Sequence, residues 1–392
     1  MNEEKHTDDF LEKLRNDINK VDSELIKLLA QRREISKEIS RAKAEHEKPI
    51  RDQAREMQLL DKLIALGTEH GLESSYLLKI FNEIIEDSVK TQQEYLYRTA
   101  YSDLEGKKIL RIAIQGIEGA YSYLAARKFF SNIESKLVFV NRHRFEEVIK
   151  TVETGEADFA MLPIENTTSG SINEVYDLLS HTTTNIIGEE IFRVKHCLVS
   201  ADDVPVEKVE KIFAHYQAAA QCSKFLSTLS NCEVEYFVDT AMSARKIKEE
   251  NNPAYAAIAS EEAATLFGLQ IIKDKIANQE KNFTRFIVAS RNKHEIDENI
   301  PAKTSLIMAT ENKPGSLVDA LAVFQKFGVN MTKLESRPVE GNPWEEMFYV
   351  DFEGNIHTAN IKNLLAELEK CTRFVKILGC YPMSLESSGS FV

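Results

Sequence analysis

The chain has 392 residues, a length that predicts about two to three domains. Its 49 Lys and Arg residues against 62 Asp and Glu residues leave a net charge of −13, which argues against a nucleic-acid-binding protein. The hydrophobic fraction of 43% and the charged fraction of 28% are typical of a globular protein and exclude disorder over most of the length. The sequence contains no run of about 18 apolar residues, so no membrane span is predicted.

The cysteines and histidines point to a reducing compartment and to a protein without a metal. The five cysteines are odd in number and form no CxxC pair, so neither a disulfide framework nor a zinc site is expected. The nine histidines are scattered and no HExxH motif occurs. The acidic start MNEEKHTDDF does not resemble a signal peptide, which favours the cytoplasm.

Residues 1–100 are predicted to be helical, because they hold only two of the 15 glycines and one of the nine prolines. We expect a long first helix to about Ala44, a second from about Arg51 to Leu66 and a third from about Ser74 to Tyr97. Three helices, one of them very long, do not close a bundle, so a partner chain is predicted. The first helix carries apolar residues at 3-4 spacing, the pattern of a packed seam, at Leu11, Leu14, Ile18, Val21, Leu25, Leu28, Ile35, Ile39 and Ala42.

Beyond residue 106 short β-type runs alternate with helical stretches, which predicts an α/β region with mostly parallel strands. The region near 180–200 is a candidate crossover between two lobes. The predicted strands are 111–116, 136–141, 157–166, 209–215, 234–239, 254–260 and 283–290.

A polar stretch over 291–303 reads as a linker, and the elements after it follow the βαββαβ order of the ferredoxin-like fold. These elements are β (304–310), α (315–327), β (329–338), β (346–353), α (359–371) and β (374–381).

A cationic face interrupts the apolar spacing of the first helix. Arg32 stands where an apolar residue is expected, and Lys43 lies three turns further on the same face, about 16 Å away. Two long cations on one face can converge on a small anion, although a drifting helix register that leaves Arg32 in solvent is the simpler alternative. Arg15 lies about 25 Å before Arg32, so it can serve the same small ligand only from a second chain.

The motifs LRNDI, QRRE, RDQAREMQLL and EDSVKTQQ resemble the all-helical chorismate mutase domain. The resemblance implies that Lys43 and Gln92 donate hydrogen bonds to the ether oxygen of chorismate during its rearrangement to prephenate. A helical dimerisation module with a solvated charged face is the alternative. The other implied substrate-binding residues are Arg15 from the partner subunit together with Arg32, Asp52, Arg55, Glu56 and Ser88.

The segment PIENTTSGS (163–171) ends an apolar strand and places several polar side chains before a helix. A helix cap formed by Ser169 or Ser171 is the simplest reading. Ligand sites in open α/β sheets also collect at such strand ends. The nearby GIEGAYS lacks the GxGxxG order, so a dinucleotide site is poorly supported.

Four motifs taken together, GIEGAYSYLAA, PIENTTSG, HYQAAAQC and NFTRF, resemble prephenate dehydratase. The resemblance implies that Thr284 is the catalytic hydrogen-bond donor beside the leaving hydroxyl. A β-branched residue serving only its strand is the alternative for Thr284. The other implied catalytic residues are Glu165, Asn166 and Gln221, and the implied substrate contacts are Tyr121, Ser122, Ser169 and Arg285.

Three positions depart from that family's pattern. Ala214 stands where a serine is common, Tyr216 where a proline is usual, and Tyr123 where a histidine follows the YS pair. Roles that the family assigns to these positions do not carry over to this chain.

Residues 302–383 resemble an ACT domain of the kind joined to prephenate dehydratases, whose GALV and ESRP motifs bind L-phenylalanine. A helix N-terminus after glycine can receive a carboxylate on its free N–H groups, although proline and glycine here also suit a plain helix start. The corresponding effector-binding residues are Gly315, Ser316, Leu317, Val318, Glu335, Ser336, Arg337 and Pro338.

The three resemblances occur in the order of bifunctional chorismate mutase–prephenate dehydratases. They imply an all-α mutase domain (1–104), a two-lobed, periplasmic-binding-protein-like α/β dehydratase domain (105–295) and an α+β ferredoxin-like ACT domain (300–392). The implied ligands are chorismate, prephenate and the inhibitor L-phenylalanine, with no cofactor and at least a homodimer. Alternatives are a dehydratase with an inactive N-terminal domain and a non-catalytic two-lobed sensor, and the missing GxGxxG disfavours a prephenate dehydrogenase.

Overall fold

Three helices make up the N-terminal part of the computed structural model, which describes residues 2–45, 52–101, 104, 106–339 and 345–383. They are α1 (Asn2–Glu45), α2 (Gln53–Glu69) and α3 (Ser74–Ala100). Arg51, the predicted start of the second helix, lies outside the described residues. Within the described ranges, no helix combines the length and hydropathy needed to cross a bilayer.

Helix α2 continues past Gly67, where the sequence predicts that it ends. A side chain at Gly67 would place its Cβ 2.3 Å from Leu77 Cδ1 of α3. This glycine therefore allows two helices to approach closely and does not stop the first of them. The helix ends two residues later, and the backbone N–H of His70 caps the carbonyl of Gly67.

The apolar stripe of α1 lies at the surface, whereas the helix packs on α3 through a neighbouring face. Ile35 and Ile39 are 47% and 43% exposed, while Ser36 and Ser40 are buried. The prediction of a packed apolar seam is therefore not fulfilled within the described residues of the chain. The exposed apolar side chains are Leu11, Leu14, Ile18, Val21, Leu25, Ile26, Leu28, Leu29, Ile35 and Ile39.

Two α/β lobes follow. The first lobe contains β1 (Ile109–Gln115), α4 (Tyr121–Phe129), β2 (Lys136–Arg142), α5 (Phe145–Glu153), β3 (Phe159–Asn166), β4 (Gly170–Ser171), α6 (Asn173–His181) and β5 (Asn185–Arg193). The second lobe contains β6 (Cys197–Ser200), β7 (Lys211–His215), α7 (Tyr216–Gln221), α8 (Ser223–Leu226), β8 (Glu233–Phe237), α9 (Thr240–Glu250), β9 (Tyr255–Ala259), α10 (Glu261–Phe267) and β10 (Gln270–Lys273). Strand β11 (Phe283–Ser290) returns to the first lobe, so the chain crosses between the lobes twice and the predicted crossover near 180–200 is confirmed.

The two sheets are mixed, and the prediction of mostly parallel strands is wrong. Their strand orders are β2-β1-β3-β11-β5 and β10-β6-β9-β7-β8. The parallel cores are β2-β1-β3 and β9-β7-β8, whereas β5, β6 and β11 pair antiparallel with their neighbours. The antiparallel strands flank the crossings, where the chain leaves one sheet and later comes back to it.

The C-terminal domain (302–382) has the predicted βαββαβ order. Its elements are β12 (Ala302–Ala309), α11 (Ser316–Lys326), β13 (Met331–Pro338), β14 (Glu346–Glu353), α12 (Ala359–Cys371) and β15 (Phe374–Pro382). The strands are ordered β13-β14-β12-β15 and all pair antiparallel, as in the ferredoxin-like fold. Both helices pack on one face of this sheet through apolar side chains.

The other face of that sheet packs on the first lobe. Ile307, Tyr349 and Leu378 belong to the same hydrophobic cluster as Leu162 and Ile287 of the lobe. Gly379 lies directly against the backbone of β5, since a Cβ there would stand 1.9 Å from the Ile186 carbonyl oxygen. The C-terminal domain and the first lobe therefore share one core.

A buried ion network crosses this interface. Arg285 Nε of β11 lies 2.8 Å from Glu189 Oε2 of β5, and Arg285 Nη1 lies 2.6 Å from Asp351 Oδ2 of β14. Lys303 Nζ of β12 lies 2.6 Å from the second oxygen of Glu189. The Glu189 side chain is fully buried, so its charge is balanced by these two cations and not by water.

Charge pairing also controls the protonation of Glu189. Burial alone would raise the pKa of its carboxyl group, but the cations of Arg285 and Lys303 outweigh burial and lower that pKa. The ionised form of Glu189 is therefore stabilised by the folded state. This stabilisation is complete above the unfolded-chain pKa of about 4.3 and is lost as pH falls through the lower folded-state value.

Replacing Glu189 with Gln should destabilise the protein by about 3–5 kcal/mol, because two buried cations would lose their common anion. Urea unfolding of the full chain, followed by circular dichroism at pH 7, measures this loss. Glu367→Gln is the control, since Glu367 pairs with the exposed Lys326 and its loss should cost less than about 1 kcal/mol. Equal unfolding midpoints for Glu189→Gln and Glu367→Gln would contradict the expectation.

Candidate active sites

The first candidate site lies between α1 and α3. Arg32 donates through Nη1 to the hydroxyl of Ser88 and, at 3.1 Å, to the carbonyl oxygen of Ile84. The Ser40 hydroxyl donates to the Gln92 carbonyl at 3.1 Å, which ties the backbone of α3 to α1. The structure therefore brings Arg32, Ser88 and Gln92 onto facing sides of two helices, as the sequence predicts.

Gln92 carries a polar atom that lacks a partner. Its side chain is 6% exposed, and Oε1 accepts no hydrogen bond within the described part of the chain. A buried amide oxygen without a partner is costly, so such atoms call for an explanation. A polar ligand bound between the helices would supply the missing donor.

Lys43 lies close to the start of α2. Burial lowers the pKa of its ammonium group, and the carboxylates of Asp52 and Glu56 oppose that shift. Asp52 also caps α2, since its Oδ1 accepts from the backbone N–H of Arg55 at 3.0 Å. Lys43 therefore shares its surroundings with two of the predicted acidic residues.

Two predicted cations lie at the surface of the described chain. Arg55 and Arg15 are both exposed. Arg15 lies 17 residues before Arg32 on the same helix, about 25 Å away, so one chain cannot bring the two guanidinium groups to one small ligand.

The second candidate site lies where the two lobes meet. Asn166, at the end of β3, is paired in register with Thr284 of β11, and both side chains are 8% exposed. Asn166 Nδ2 donates to Thr284 Oγ1 at 2.9 Å. Because this hydroxyl oxygen accepts from the amide, the Thr284 proton is available to a ligand.

The Asn166 amide also organises the turn that follows β3. Its Oδ1 accepts from the backbone N–H groups of Thr168 and Ser169 at 3.0 and 2.9 Å, an Asx turn. The Thr168 hydroxyl donates to the same oxygen at 2.6 Å. One side chain thus holds both the catalytic candidate and the polar turn.

Gln221 joins this turn to the second lobe. It is the last residue of α7, and its Nε2 donates to Thr168 Oγ1 at 2.8 Å and to Ser169 Oγ at 2.9 Å. The predicted residues Asn166, Ser169, Gln221 and Thr284 therefore form one hydrogen-bonded cluster.

Sequence reasoning missed three members of this cluster. Asn282 accepts from Asn166 at 2.8 Å, and its Nδ2 donates to Gln221 Oε1 at 2.9 Å. His196 Nε2 lies 2.8 Å from the same Gln221 oxygen. Asn282 stands within the NFTRF motif and Thr168 within PIENTTSG, so both could have been predicted from those motifs. His196 lies in none of the motifs.

Two predicted site residues lie elsewhere. Arg285 follows Thr284 and points to the opposite face of β11, where Glu189 and Asp351 hold it. Glu165 precedes Asn166, and its Oε1 accepts from Lys333 Nζ of the C-terminal domain at 3.0 Å. The structure therefore does not bring Arg285 or Glu165 to the Thr284 cluster.

Tyr121 and Ser122 begin α4, beside the first crossing. The Tyr121 hydroxyl donates to the Lys195 carbonyl at 2.7 Å and lies 3.2 Å from His196 Nδ1. Ser122 is buried. Tyr121 thus reaches the cluster through His196 and does not contact Thr284.

The three departures from the family pattern have separate surroundings. Ala214 is fully buried in β7, and Tyr216 is 65% exposed. Tyr123 donates to Glu118 Oε1 at 2.7 Å.

The predicted effector residues divide between the two faces of the C-terminal sheet. Gly315, Leu317 and Val318, together with Phe348, line a concave surface that encloses a volume of about 240 Å³. Ser336 pairs with Phe348 in register, so both side chains point to the same face.

Glu335 and Arg337 point the other way, toward the first lobe. The Ser171 hydroxyl donates to Glu335 Oε2 at 2.7 Å, and Arg337 binds both carboxylate oxygens of Asp177 at 2.9 and 2.7 Å. These two residues therefore tie the domain to the lobe and do not line the concave surface.

Comparison with known proteins finds three family models along the chain. The family models for Chorismate mutase type II, Prephenate dehydratase and the ACT domain match residues 14–93, 112–294 and 304–370. The bifunctional chorismate mutase/prephenate dehydratases of Enterobacter agglomerans and Escherichia coli K12 are 43% and 42% identical over 369 residues, covering 94% of this chain and 95% of each relative. The chain belongs to the bifunctional chorismate mutase/prephenate dehydratase family.

Two solved structures each resemble 70% of this chain. Prephenate dehydratase from Arthrobacter aurescens, in complex with L-Phe, has a TM-score of 0.63 at 26% identity and covers 70% of this chain and 90% of its own. GqqA, described as a novel type of quorum quenching acylase, has a TM-score of 0.64 at 32% identity and covers 70% and 99%. The shared fold therefore occurs with two different activities, and function has to be argued from the site.

Proposed function

We propose that the chain rearranges chorismate to prephenate in the helical site and converts prephenate to phenylpyruvate in the site between the lobes. The observation that carries the second activity is the Asn166–Thr284 hydrogen bond, within the residues 112–294 that the Prephenate dehydratase family model matches. The helical contacts of Arg32 and Lys43 support the first activity.

The mutase reaction needs charged and hydrogen-bonding groups only. Chorismate is a dicarboxylate, and a guanidinium such as Arg32 can bind a carboxylate through two parallel hydrogen bonds. Lys43 and Gln92 would donate to the ether oxygen as the C–O bond breaks and the C–C bond forms. Ser88, Asp52, Arg55 and Glu56 complete the proposed substrate-binding set.

The dehydratase reaction needs a donor beside a leaving hydroxyl. The bond from the prephenate ring to its carboxylate breaks, and its electron pair moves through the ring as the ring C–O bond breaks. Carbon dioxide leaves, and the hydroxyl group departs as water with one proton taken up from solvent. Thr284 would donate a hydrogen bond to that oxygen, with Asn166 and Gln221 holding the site, and Ser169, Tyr121 and Ser122 near the substrate.

Two single substitutions should separate the two activities. Lys43→Ala removes the proposed donor to the ether oxygen, so mutase activity should fall by at least about 100-fold while the dehydratase rate on added prephenate is unchanged. Thr284→Ala should have the reverse effect, with a loss of similar size. Each variant is the control for the other, and both rates are followed without added cofactor; an unchanged target activity in either variant would falsify the corresponding assignment.

The exposed apolar stripe on α1 supports a homodimer. Ten large apolar side chains of one helix are exposed, and large exposed apolar patches commonly mark protein–protein interfaces. In a two-fold dimer through this stripe, Arg15 of the partner subunit would enter the site that contains Arg32 and Lys43. The five free cysteines, all within the described residues, support a reducing compartment such as the cytoplasm.

Mixing two inactive variants tests the shared mutase site. Arg15→Ala and Lys43→Ala should each lack mutase activity, but their hybrid dimer would contain one intact site. Equal amounts reassembled from denaturant should therefore recover about a quarter of the wild-type rate. Arg32→Ala mixed with Lys43→Ala is the control, because both residues come from the same chain and no hybrid site is intact. Recovery in the control mixture, or none in the test mixture, would contradict a partner-supplied Arg15.

The concave surface of the ACT domain is the proposed binding surface for L-phenylalanine. Gly315 is the N-cap of α11 and has a φ of 89°, a left-handed conformation that favours glycine. The Ser316 N–H donates to the Lys313 carbonyl at 3.2 Å, and the next N–H groups of the first turn have no partner within the helix and could receive a carboxylate. Leu317, Val318 and Phe348 supply apolar contacts beside them. Ser336 would contribute from the neighbouring strand, while Glu335, Arg337 and Pro338 belong to the strand that ties this surface to the first lobe.

L-phenylalanine at millimolar concentration should inhibit the dehydratase rate, and D-phenylalanine should inhibit less. Val318→Asp should weaken the inhibition by at least about tenfold in effector concentration, because a carboxylate beside the helix start repels the ligand carboxylate. Asn363→Asp adds the same charge on an exposed face of α12 and should leave the inhibition curve unchanged. Equal effects of Val318→Asp and Asn363→Asp would argue against this surface.

A further inference from the structure

His196 lies at the first crossing between the lobes, between β5 and β6, and is 3% exposed. Both of its ring nitrogens contact protein groups. Nε2 lies 2.8 Å from Gln221 Oε1, and Nδ1 lies 3.2 Å from the Tyr121 hydroxyl. A histidine whose nitrogens are both engaged in this way does not present either one to a substrate.

The tautomer of His196 follows from its partner. Gln221 Nε2 donates to the hydroxyls of Thr168 and Ser169, so Oε1 is the atom that faces His196. The same Oε1 also accepts from Asn282 Nδ2, whose own amide orientation is set by Asn166. An amide oxygen cannot donate, so Nε2 carries the proton of the neutral imidazole. Nδ1 is then an acceptor, and it shares the Tyr121 hydroxyl proton, at 3.2 Å, with the nearer Lys195 carbonyl at 2.7 Å.

Burial agrees with a neutral ring. It lowers the pKa of the imidazole; the hydrogen bond to Gln221 raises it less, and the neighbouring His215 lowers it further. The uncharged Nε2–H tautomer is therefore the resting form at neutral pH.

We propose that His196 is a positioning residue for the dehydratase reaction, acting through the side-chain amide of Gln221. Its Nε2–H holds Oε1, which directs Gln221 Nε2 to the turn after β3. That turn is closed by Asn166, and Asn166 donates to Thr284. The proposal rests on the dehydratase function proposed above.

The geometry makes His196 different from a proton donor. A catalytic acid or base needs a nitrogen that reaches the reacting atoms, whereas His196 is separated from Thr284 by Gln221 and Asn166. Its loss should therefore lower kcat by disordering the donor and should leave KM nearly unchanged.

Two substitutions at position 196 distinguish these roles. The glutamine in His196→Gln can place its Nε2 near the imidazole Nε2 and still donate to Gln221, so kcat should stay within about threefold of wild type. His196→Leu fills similar space without a donor, and kcat should fall by at least about tenfold with KM within about twofold. If glutamine is as damaging as leucine, or if KM rises while kcat is kept, the positioning role is wrong.

Gln221→Leu provides the second test. If His196 acts only through Gln221, adding His196→Leu to Gln221→Leu should cause no further loss of kcat. A multiplicative loss in the double variant would overturn the proposal. Circular dichroism melts and the mutase rate of each full-length variant establish that the chain is folded.

The tautomer of His196 can be measured in the wild-type protein, so the result does not depend on the folding of a variant. Nitrogen-15 correlation spectra of labelled histidine should show His196 as the Nε2–H tautomer, assigned by the loss of its signals in His196→Gln. An Nδ1–H tautomer would refute the proposal even if every kinetic expectation held. Absence of phenylpyruvate formation by the wild type would instead refute the proposed function, so the two failures are distinguishable.

Discussion

The alternation of side chains along β3 and β11 is the constraint on which the rest of the dehydratase region depends. Successive residues of a strand point to opposite faces. Asn166 and Thr284 therefore face the cleft, while their neighbours Glu165 and Arg285 face the ACT domain. A shift of one residue in either strand would exchange the catalytic candidates with the charged groups behind them.

This arrangement links the ACT domain to the site through residues that lie next to it in sequence. The ACT residues Lys333 and Asp351 bind side chains that lie one residue away from Asn166 and Thr284. Glu335 and Arg337 bind Ser171 and the next helix, which follow the turn closed by Asn166. A movement of β13 or β14 would therefore shift the backbone of β3 and β11, which carries Asn166 and Thr284. This contact gives a ligand bound to the ACT domain a physical route to the reaction.

The elements with strong local periodicity were predictable from the sequence. The βαββαβ order of the ACT domain and the strand 283–290 match the structure to within about two residues, because hydrophobic patterns of period two or 3.6 are local signals. Strands β5, β6 and β10 were not predicted, since they are defined by pairing with distant strands at the crossings. The local pattern predicts a helix end at Gly67, because the close approach of Leu77 that the glycine allows is a tertiary contact.

The site was predictable only where a motif is linear. Thr284, Asn166 and Gln221 stand in recognisable segments, and the structure brings them together. Arg285 and Glu165 stand in the same segments, but strand alternation sends them to the other face, which no motif records. His196 joins the cluster because the chain crosses between the lobes beside it, and a single buried histidine in an apolar stretch gives no local sign of that position.

The net charge of −13 and the exposed stripe of α1 both bear on how the helical site can bind a dicarboxylate. An acidic protein repels dicarboxylates at long range, although salt screens this effect beyond a Debye length of about 8 Å. Binding must then come from cations inside the site, and the described contacts of one chain supply Arg32 and Lys43 there. Arg15 cannot reach them along its own helix. In the proposed homodimer, one association would bury the exposed stripe and complete the cationic set with Arg15 of the partner subunit. In that proposed homodimer, α1 encodes half of a site, and dimerisation would be a condition for mutase chemistry.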